Sequence, residues 1–217
     1  MFKDRIDAGK KLAERLAFLK DAPDVIVLGI PRGGVVVAAE IARALDASLD
    51  VFIAHKIGAP GNPEFAIGAL TSTGEVWLDD AAMEVWQFDR DALAQELAYW
   101  RGEIARRVDA YRGAHPPLEV KGKTVVVVDD GVATGATMFA ALKALRQQEP
   151  ARLILAIPVG PPETLVQLAR ECDQVVVVAA PVSFWAVSRF YDYFEQVEDQ
   201  EVIRLLEMRK VKDESQS

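Results

Sequence analysis

Apolar residues in this chain arrive in short runs set between longer stretches of helical periodicity. Val25–Ile30, Leu49–Ile57, Val125–Val128, Leu153–Pro158 and Gln174–Ala179 are such runs. Their β-branched content and lack of alternation predict strands covered on both faces, as in a parallel sheet. Between them lie amphipathic segments. Residues 4–20 predict a helix with Ile6, Ala13, Leu16 and Leu19 near one face and charges opposite. Further helices are predicted after Gly34 to about Leu45, after Thr137 to about Glu149, and over Pro162–Arg170. A final helix starts near Asp199, acidic in its first turn and basic in its last, which suits the helix dipole. Strand and helix alternate, so the predicted fold class is α/β: a Rossmann-like parallel sheet with helices on both faces.

One stretch breaks the alternation. Gly58–Pro63 is rich in Gly and Pro and predicts a loop. Ala66–Leu70 and Glu75–Leu78 predict a hairpin around Ser72–Gly74. From Asp80 to Arg112, Leu93, Leu97, Trp100, Ile104, Val108 and Tyr111 recur at helical spacing, and Glu103 and Arg107 form a favourable i, i+4 pair. Gly113–Pro117 then ends the helix. The chain reads as a single domain, 1–217, with a helical insertion at 80–116. The closing residues, DESQS, are expected to fray.

Composition narrows the function classes. Hydrophobic residues make up 51 %, enough for a large core, and the net charge of −8 makes general nucleic-acid binding a poor expectation. The single cysteine, Cys172, excludes an internal disulfide framework and a Cys-rich zinc site. The charged amphipathic start does not read as a signal peptide, and no apolar run approaches the ~20 residues of a membrane span. A soluble, cytoplasmic protein without membrane partners is the expectation.

The chemistry concentrates in Val125–Thr137, VVVVDDGVATGAT. A buried strand runs into Asp129 and Asp130, placing both carboxylates at its carboxyl end, where open α/β sheets bind ligands. The loop that follows has little side-chain bulk, so a ligand can approach its amides. The next helix offers unpaired N–H groups and a positive dipole end, a seat for phosphate. Carboxylates beside such a seat suit a ligand carrying both hydroxyls and phosphate, with a cation between them. A Walker B-like strand is the competing reading, but no G-x-x-x-x-G-K-[ST] accompanies it. Pro31-Arg32-Gly33-Gly34 closes the first strand and should reach the same sheet edge. It is either a plain strand-to-helix turn or, with Arg32 as a charged fork and the glycines as bare donors, a cradle for pyrophosphate.

A hydrophobic strand, two acidic residues and then T-G-x-T resembles the signature of the type I phosphoribosyltransferases. The resemblance spans most of residues 20–200, although only the two short motifs are specific, and the chain most resembles a phosphoribosyltransferase-like subgroup without an assigned acceptor. It implies the type I core with a C-terminal hood at 181–197. It also implies transfer of the 5-phosphoribosyl group of 5-phosphoribosyl-1-pyrophosphate (PRPP) to a base, with release of pyrophosphate, as in nucleotide metabolism. In that reading Ala133, Thr134, Gly135, Ala136 and Thr137 hold the 5-phosphate. Asp129 and Asp130 face the ribose hydroxyls directly or through Mg²⁺, and Arg32, Gly33, Gly34 and Lys56 hold pyrophosphate. Arg32, Lys56, Asp129 and Asp130 form the catalytic set, because positioning and charge stabilisation dominate such a reaction. Gly58–Phe65 stands where the family has a mobile loop that excludes water. Ala133 occupies a position where 6-oxopurine enzymes carry an acceptor aspartate, which argues against hypoxanthine or guanine. A homodimer is the family's habit.

Other residues admit bland readings beside functional ones. Lys56 is as readily an exposed strand-end lysine. His55 falls on the opposite face and reads as structural, and His115 reads as exposed. Asp79 and Asp80 cap the inserted helix or bind a cation. Pro181–Phe194, the densest aromatic stretch, is either packed cover or a hood stacking on a base, with Phe184 and Trp185 the leading base contacts. A non-catalytic PRPP sensor or regulator is the alternative function; the Arg32 turn and the Gly-rich loop favour an enzyme. An ordinary Rossmann nucleotide binder lacks G-x-G-x-x-G after the first strand.

Overall fold

Two sheets organise the chain in a computed structural model, which describes residues 1–59, 62–72, 74, 76–78, 84–85, 90–113 and 115–214. Strands β1 (Val25–Gly29), β2 (Ser48–Val51), β6 (Thr124–Val128), β7 (Arg152–Val159) and β8 (Gln174–Ala179) form a parallel sheet in the order β2-β1-β6-β7-β8. A smaller antiparallel sheet joins β3 (Ala54–Ala59), β4 (Asn62–Thr71) and β5 (Val76–Leu78). The helices are α1 (Arg5–Arg15), α2 (Gly33–Leu45), α3 (Arg90–Arg112), α4 (Ala136–Gln147), α5 (Pro162–Leu168) and α6 (Asp199–Glu214).

The uninterrupted valine run of β6 is explained by its two covered faces. Val126 and Val128 pack with α1, α2 and α6 through Leu12, Val35 and Val202. Val125 and Val127 pack on the other side with α4 and α5 through Met138, Leu142 and Leu165. All four valines are fully buried, each contributing about 1.5–3 kcal/mol of apolar transfer free energy. Because β1 and β6 are neighbours while the chain leaves β1 toward β2, their carboxyl ends frame a topological switch point.

The run Leu49–Ile57, expected as one strand, is two strands in different sheets. β2 stops at Val51, where the Asp50 carboxylate is taken up by Arg112 and the Leu118 amide. Phe52 still donates to Gly29 O at 3.0 Å, and then Ile53 O accepts from Ser72 N at 2.8 Å, in the second sheet. Phe52 and Ile53 are both buried, in different core clusters, so hydrophobicity stays continuous across the change of sheet.

The predicted loop Gly58–Pro63 is also largely strand. β3 continues to Ala59, with register shifts at Gly58, and β4 opens at Asn62. The excursion between β2 and β6 therefore contains a three-stranded sheet as well as α3. That sheet rests against α4: Trp77 meets Phe139 edge-on at 6.1 Å, and Lys143 lies over both rings.

The first helix ends at Arg15 and passes through a 3₁₀ turn, Ala17–Leu19. Ala13, Leu16 and Leu19 are buried as expected, but Ile6 is 45 % exposed, one turn short of the packed stripe. The inserted helix spans Arg90–Arg112; the capping reading of Asp79 and Asp80 lies outside the described residues. No helix among the described residues is long and apolar enough to cross a membrane.

Candidate functional site

The turns after β1 and β6 meet at the switch point. A Cβ built on Gly34 would sit 2.7 Å from Val128 O and 3.0 Å from Asp129 Oδ1. One built on Gly33 would fall 1.9 Å from Asp130 Oδ2. The two glycines are thus what allows the first turn to press against the acidic pair. The Pro31–Arg32 peptide is cis. Arg32 stands at the N-cap position of α2 without a side-chain cap hydrogen bond, and its head lies 4.0 Å from Asp199 on α6, whose Oδ1 also accepts from Tyr111 at 2.6 Å.

Asp129 Oδ1 accepts from the Asp130 amide at 2.8 Å, and Asp130 Oδ2 from Arg5 Nε at 2.7 Å. Each carboxylate keeps its second oxygen without a protein partner among the described residues. Burial pushes Asp129 well above the usual carboxylate range, and the neighbouring Asp130 charge adds to this. Burial also raises Asp130, against the opposing pull of the Arg5 guanidinium.

The turn beyond the pair is shaped by tertiary contacts. Gly131 has φ 153°, and a Cβ there would meet Val187 at 2.6 Å. Thr164 Oγ1 donates to Ala133 O at 2.8 Å and fixes the turn from α5. Gly135 is left-handed, with φ 74°, as it enters α4 and makes no side-chain cap. The first helical amides, from Ala136 onward, therefore have no intrahelical acceptor. Ala133, Thr134 and Thr137 are exposed, so the turn is open to an anion.

The remaining predicted residues are dispersed. Lys56 lies on β3 opposite Ala69, in the smaller sheet. His55 stacks on Trp100 at 3.5 Å, a packing role, and His115 is exposed. Phe184 stacks on Phe190 at 5.3 Å within a cluster containing Phe2 and Tyr191, so its ring serves the packing of this segment. Trp185 is 81 % exposed and takes no part in that cluster. The segment nevertheless reaches the acidic pair, since Tyr191 Oη donates to Asp130 O at 2.6 Å. Burial and the Asp130 charge push the Tyr191 hydroxyl far up, so it stays a donor.

Sequence reasoning missed Arg5, Tyr191 and Asp199. Arg5 had one local signal: it is a cation in the first turn of α1, where the helix dipole disfavours positive charge.

The pair fits a Mg²⁺ ion. Two adjacent carboxylates with free oxygens and raised proton affinity form a hard, oxygen-only donor set. Mg²⁺ commonly binds through one or two carboxylates and completes its shell with water and substrate phosphates. No cluster of three or more metal-ligating side chains occurs among the described residues.

Comparison with known proteins agrees with this architecture. The "Putative phosphoribosyl transferase Rv0571c" of Mycobacterium tuberculosis is 40 % identical over 207 residues, 95 % of this chain. This chain spans 46 % of that relative, about half its length. The "Bifunctional protein PyrR" of Chloroflexus aurantiacus is 34 % identical over 128 residues, 55 % of this chain and 68 % of that one. The crystal structure of TT1426 from Thermus thermophilus superposes with a TM-score of 0.87 at 45 % identity, over 95 % of this chain and 97 % of that one. The family model described as the phosphoribosyl transferase domain matches residues 2–193. With nearly the whole chain so matched, and with a parallel sheet whose switch point carries the acidic pair, this protein belongs to the phosphoribosyltransferase family and has its type I fold.

Proposed function

We propose that this chain binds PRPP at the β1–β6 switch point and transfers its 5-phosphoribosyl group to a nitrogenous base or similar acceptor, releasing pyrophosphate. One observation carries the reading: the bare Gly33–Gly34 turn is pressed against Asp129 and Asp130, immediately before an uncapped helix start. The 5-phosphate would rest on the exposed turn Ala133–Thr137 and the first amides of α4. Asp129 and Asp130 would hold the ribose hydroxyls through their free oxygens. The Gly33 and Gly34 backbone would line the pyrophosphate side. Arg32 would have to exchange its Asp199 contact for the leaving group, a short swing for a long side chain. Lys56 has a weaker claim, since β3 belongs to the smaller sheet.

Mg²⁺, bound by the acidic pair and the substrate, would offset the charge that develops on the leaving pyrophosphate. The carboxylates lie beside the ribose, where positive charge grows as the C1–O bond breaks, and they favour it electrostatically. An acceptor nitrogen then closes on C1, its approach set by positioning rather than by covalent catalysis. A cytoplasmic, small-molecule setting follows from such substrates.

Calorimetric titration of PRPP with and without Mg²⁺ tests the reading. Metal-dependent binding by the wild type, lost in Asp130→Asn with an unchanged circular dichroism spectrum, is the expected result. No binding by the wild type would overturn it. Pyrophosphate release across a panel of acceptors then separates an enzyme from a PRPP sensor.

A further inference from the structure

Arg5 stands 125 residues from Asp130 in sequence, yet their side chains form an ion pair at 2.7 Å and are only 11 % and 16 % exposed. Three separate contacts use the guanidinium. Nε holds Asp130 Oδ2, and Nη1 donates to Glu195 O at 2.7 Å. The flat face lies 3.9 Å above the Phe194 ring. Gly33 makes room for the arrangement, because a Cβ there would also fall 2.7 Å from Arg5 Nε.

The same two segments are joined again by backbone. Phe2 N donates to Phe190 O at 2.8 Å, Asp192 N to Phe2 O at 2.9 Å, and Tyr193 N to Lys3 O at 2.9 Å. Tyr191 then braces the Asp130 carbonyl from the other side. The start of the chain and the segment Val187–Glu195 therefore close into one clasp, and Arg5 is its link to the acidic pair.

We infer that Arg5 is a positioning residue for the ribose site: it holds Asp130 in the orientation that receives the sugar and ties the chain start and the aromatic segment to that carboxylate. This rests on the PRPP reading. A planar fork suits the task, because it bridges a carboxylate and a carbonyl at once while stacking on a ring. Asp130, held at Oδ2, then has one oxygen left in a fixed place for a hydroxyl or a metal. Lysine could keep the charge but not all three contacts.

The test compares Arg5→Gln, Arg5→Lys and Arg15→Gln. Arg15 lies on the same helix and donates to Val177 O at 2.9 Å, remote from the acidic pair, so it controls for a general loss of α1 docking. Two quantities are read: PRPP affinity in the presence of Mg²⁺, and hydrogen exchange of the Asp192 and Tyr193 amides without ligand. Arg5→Gln is expected to weaken PRPP by about 10–100-fold, as when the outer partner of a ligating group is removed. It should also speed exchange of both amides. Arg5→Lys should recover part of the affinity, and Arg15→Gln should bind PRPP like the wild type. Undiminished PRPP affinity in Arg5→Gln overturns the inference, as does an equal loss in Arg15→Gln. Absence of PRPP binding in the wild type would instead defeat the PRPP reading, and the ribose role with it. Amide exchange without ligand would still judge the clasp, which falls if Arg5→Gln leaves it unchanged.

Discussion

Gly33 is the residue on which the geometry of the acidic pair turns. It opens α2 without positive φ, so its requirement is space and not backbone freedom. In Gly33→Ala the new methyl must displace the Asp130 carboxylate, the movable end of a side chain, and with it the contact to Arg5. Stability should fall by about 1–3 kcal/mol, the cost of a disturbed part-buried charged hydrogen bond, while Mg²⁺-dependent PRPP binding should be lost almost entirely. Chemical denaturation and calorimetry on the same sample check both halves. Wild-type affinity in the variant would show that Asp130 has no fixed role. Asp129, Asp130 and the Ala133–Thr137 turn were legible in sequence because they lie side by side along the chain and their neighbours announce a strand end. Arg5 and Tyr191 were not, because they reach the pair only after the sheet has brought distant segments together.

At the scale of elements, α3 is fastened to the main sheet by a buried ion pair. Arg112 Nε lies 2.9 Å from Asp50 Oδ1, and its Nη2 donates to Val51 O at 2.8 Å. Asp50 also accepts from the Val51 and Leu118 amides. This knot ends β2 and receives the chain returning from α3. Arg112→Met should cost about 3–5 kcal/mol, since it strands a carboxylate in the interior. Adding Asp50→Leu should recover only part, because the Leu118 amide then loses its acceptor. Urea denaturation of the single and double variants measures this. Helix periodicity predicted α3, and strand propensity predicted the apolar run after Ser48. Neither revealed that the run changes sheets after Val51, because burial continues through Phe52 and Ile53 while only the hydrogen-bond partners change.

The molecule as a whole joins its two sheets through α3, α4 and α6, and this arrangement gives its stability a pH dependence. Burial pushes the His55 imidazole down from 6.5 to about 4, with the Arg107 and Lys56 charges adding to the effect. A lowered folded-state value means that the unfolded chain takes up the proton first. The contribution is therefore complete above about pH 6.5 and is lost as pH falls toward 4. Since the ring is only half-buried, the loss should amount to about 1–2 kcal/mol. His55→Phe keeps a ring against Trp100 and should flatten the melting temperature between pH 6.5 and 4. An identical pH profile in both proteins would remove His55 from the account.

What this chain's sequence determines unaided is local. The order of strands and helices follows from apolar periodicity, and the acidic pair with its small-residue turn follows from one contiguous stretch. Each depends on residues within a few positions of one another, so each leaves a readable pattern. Strand order, the addition of β3 to the predicted β4–β5 hairpin, the approach of Arg32 to α6, and the clasp of Arg5 and Tyr191 on Asp130 depend on which surfaces meet. Those choices are made by the packing of both faces of the sheet and by the pairing of buried charges. Both join residues far apart in the chain, where no spacing rule connects them.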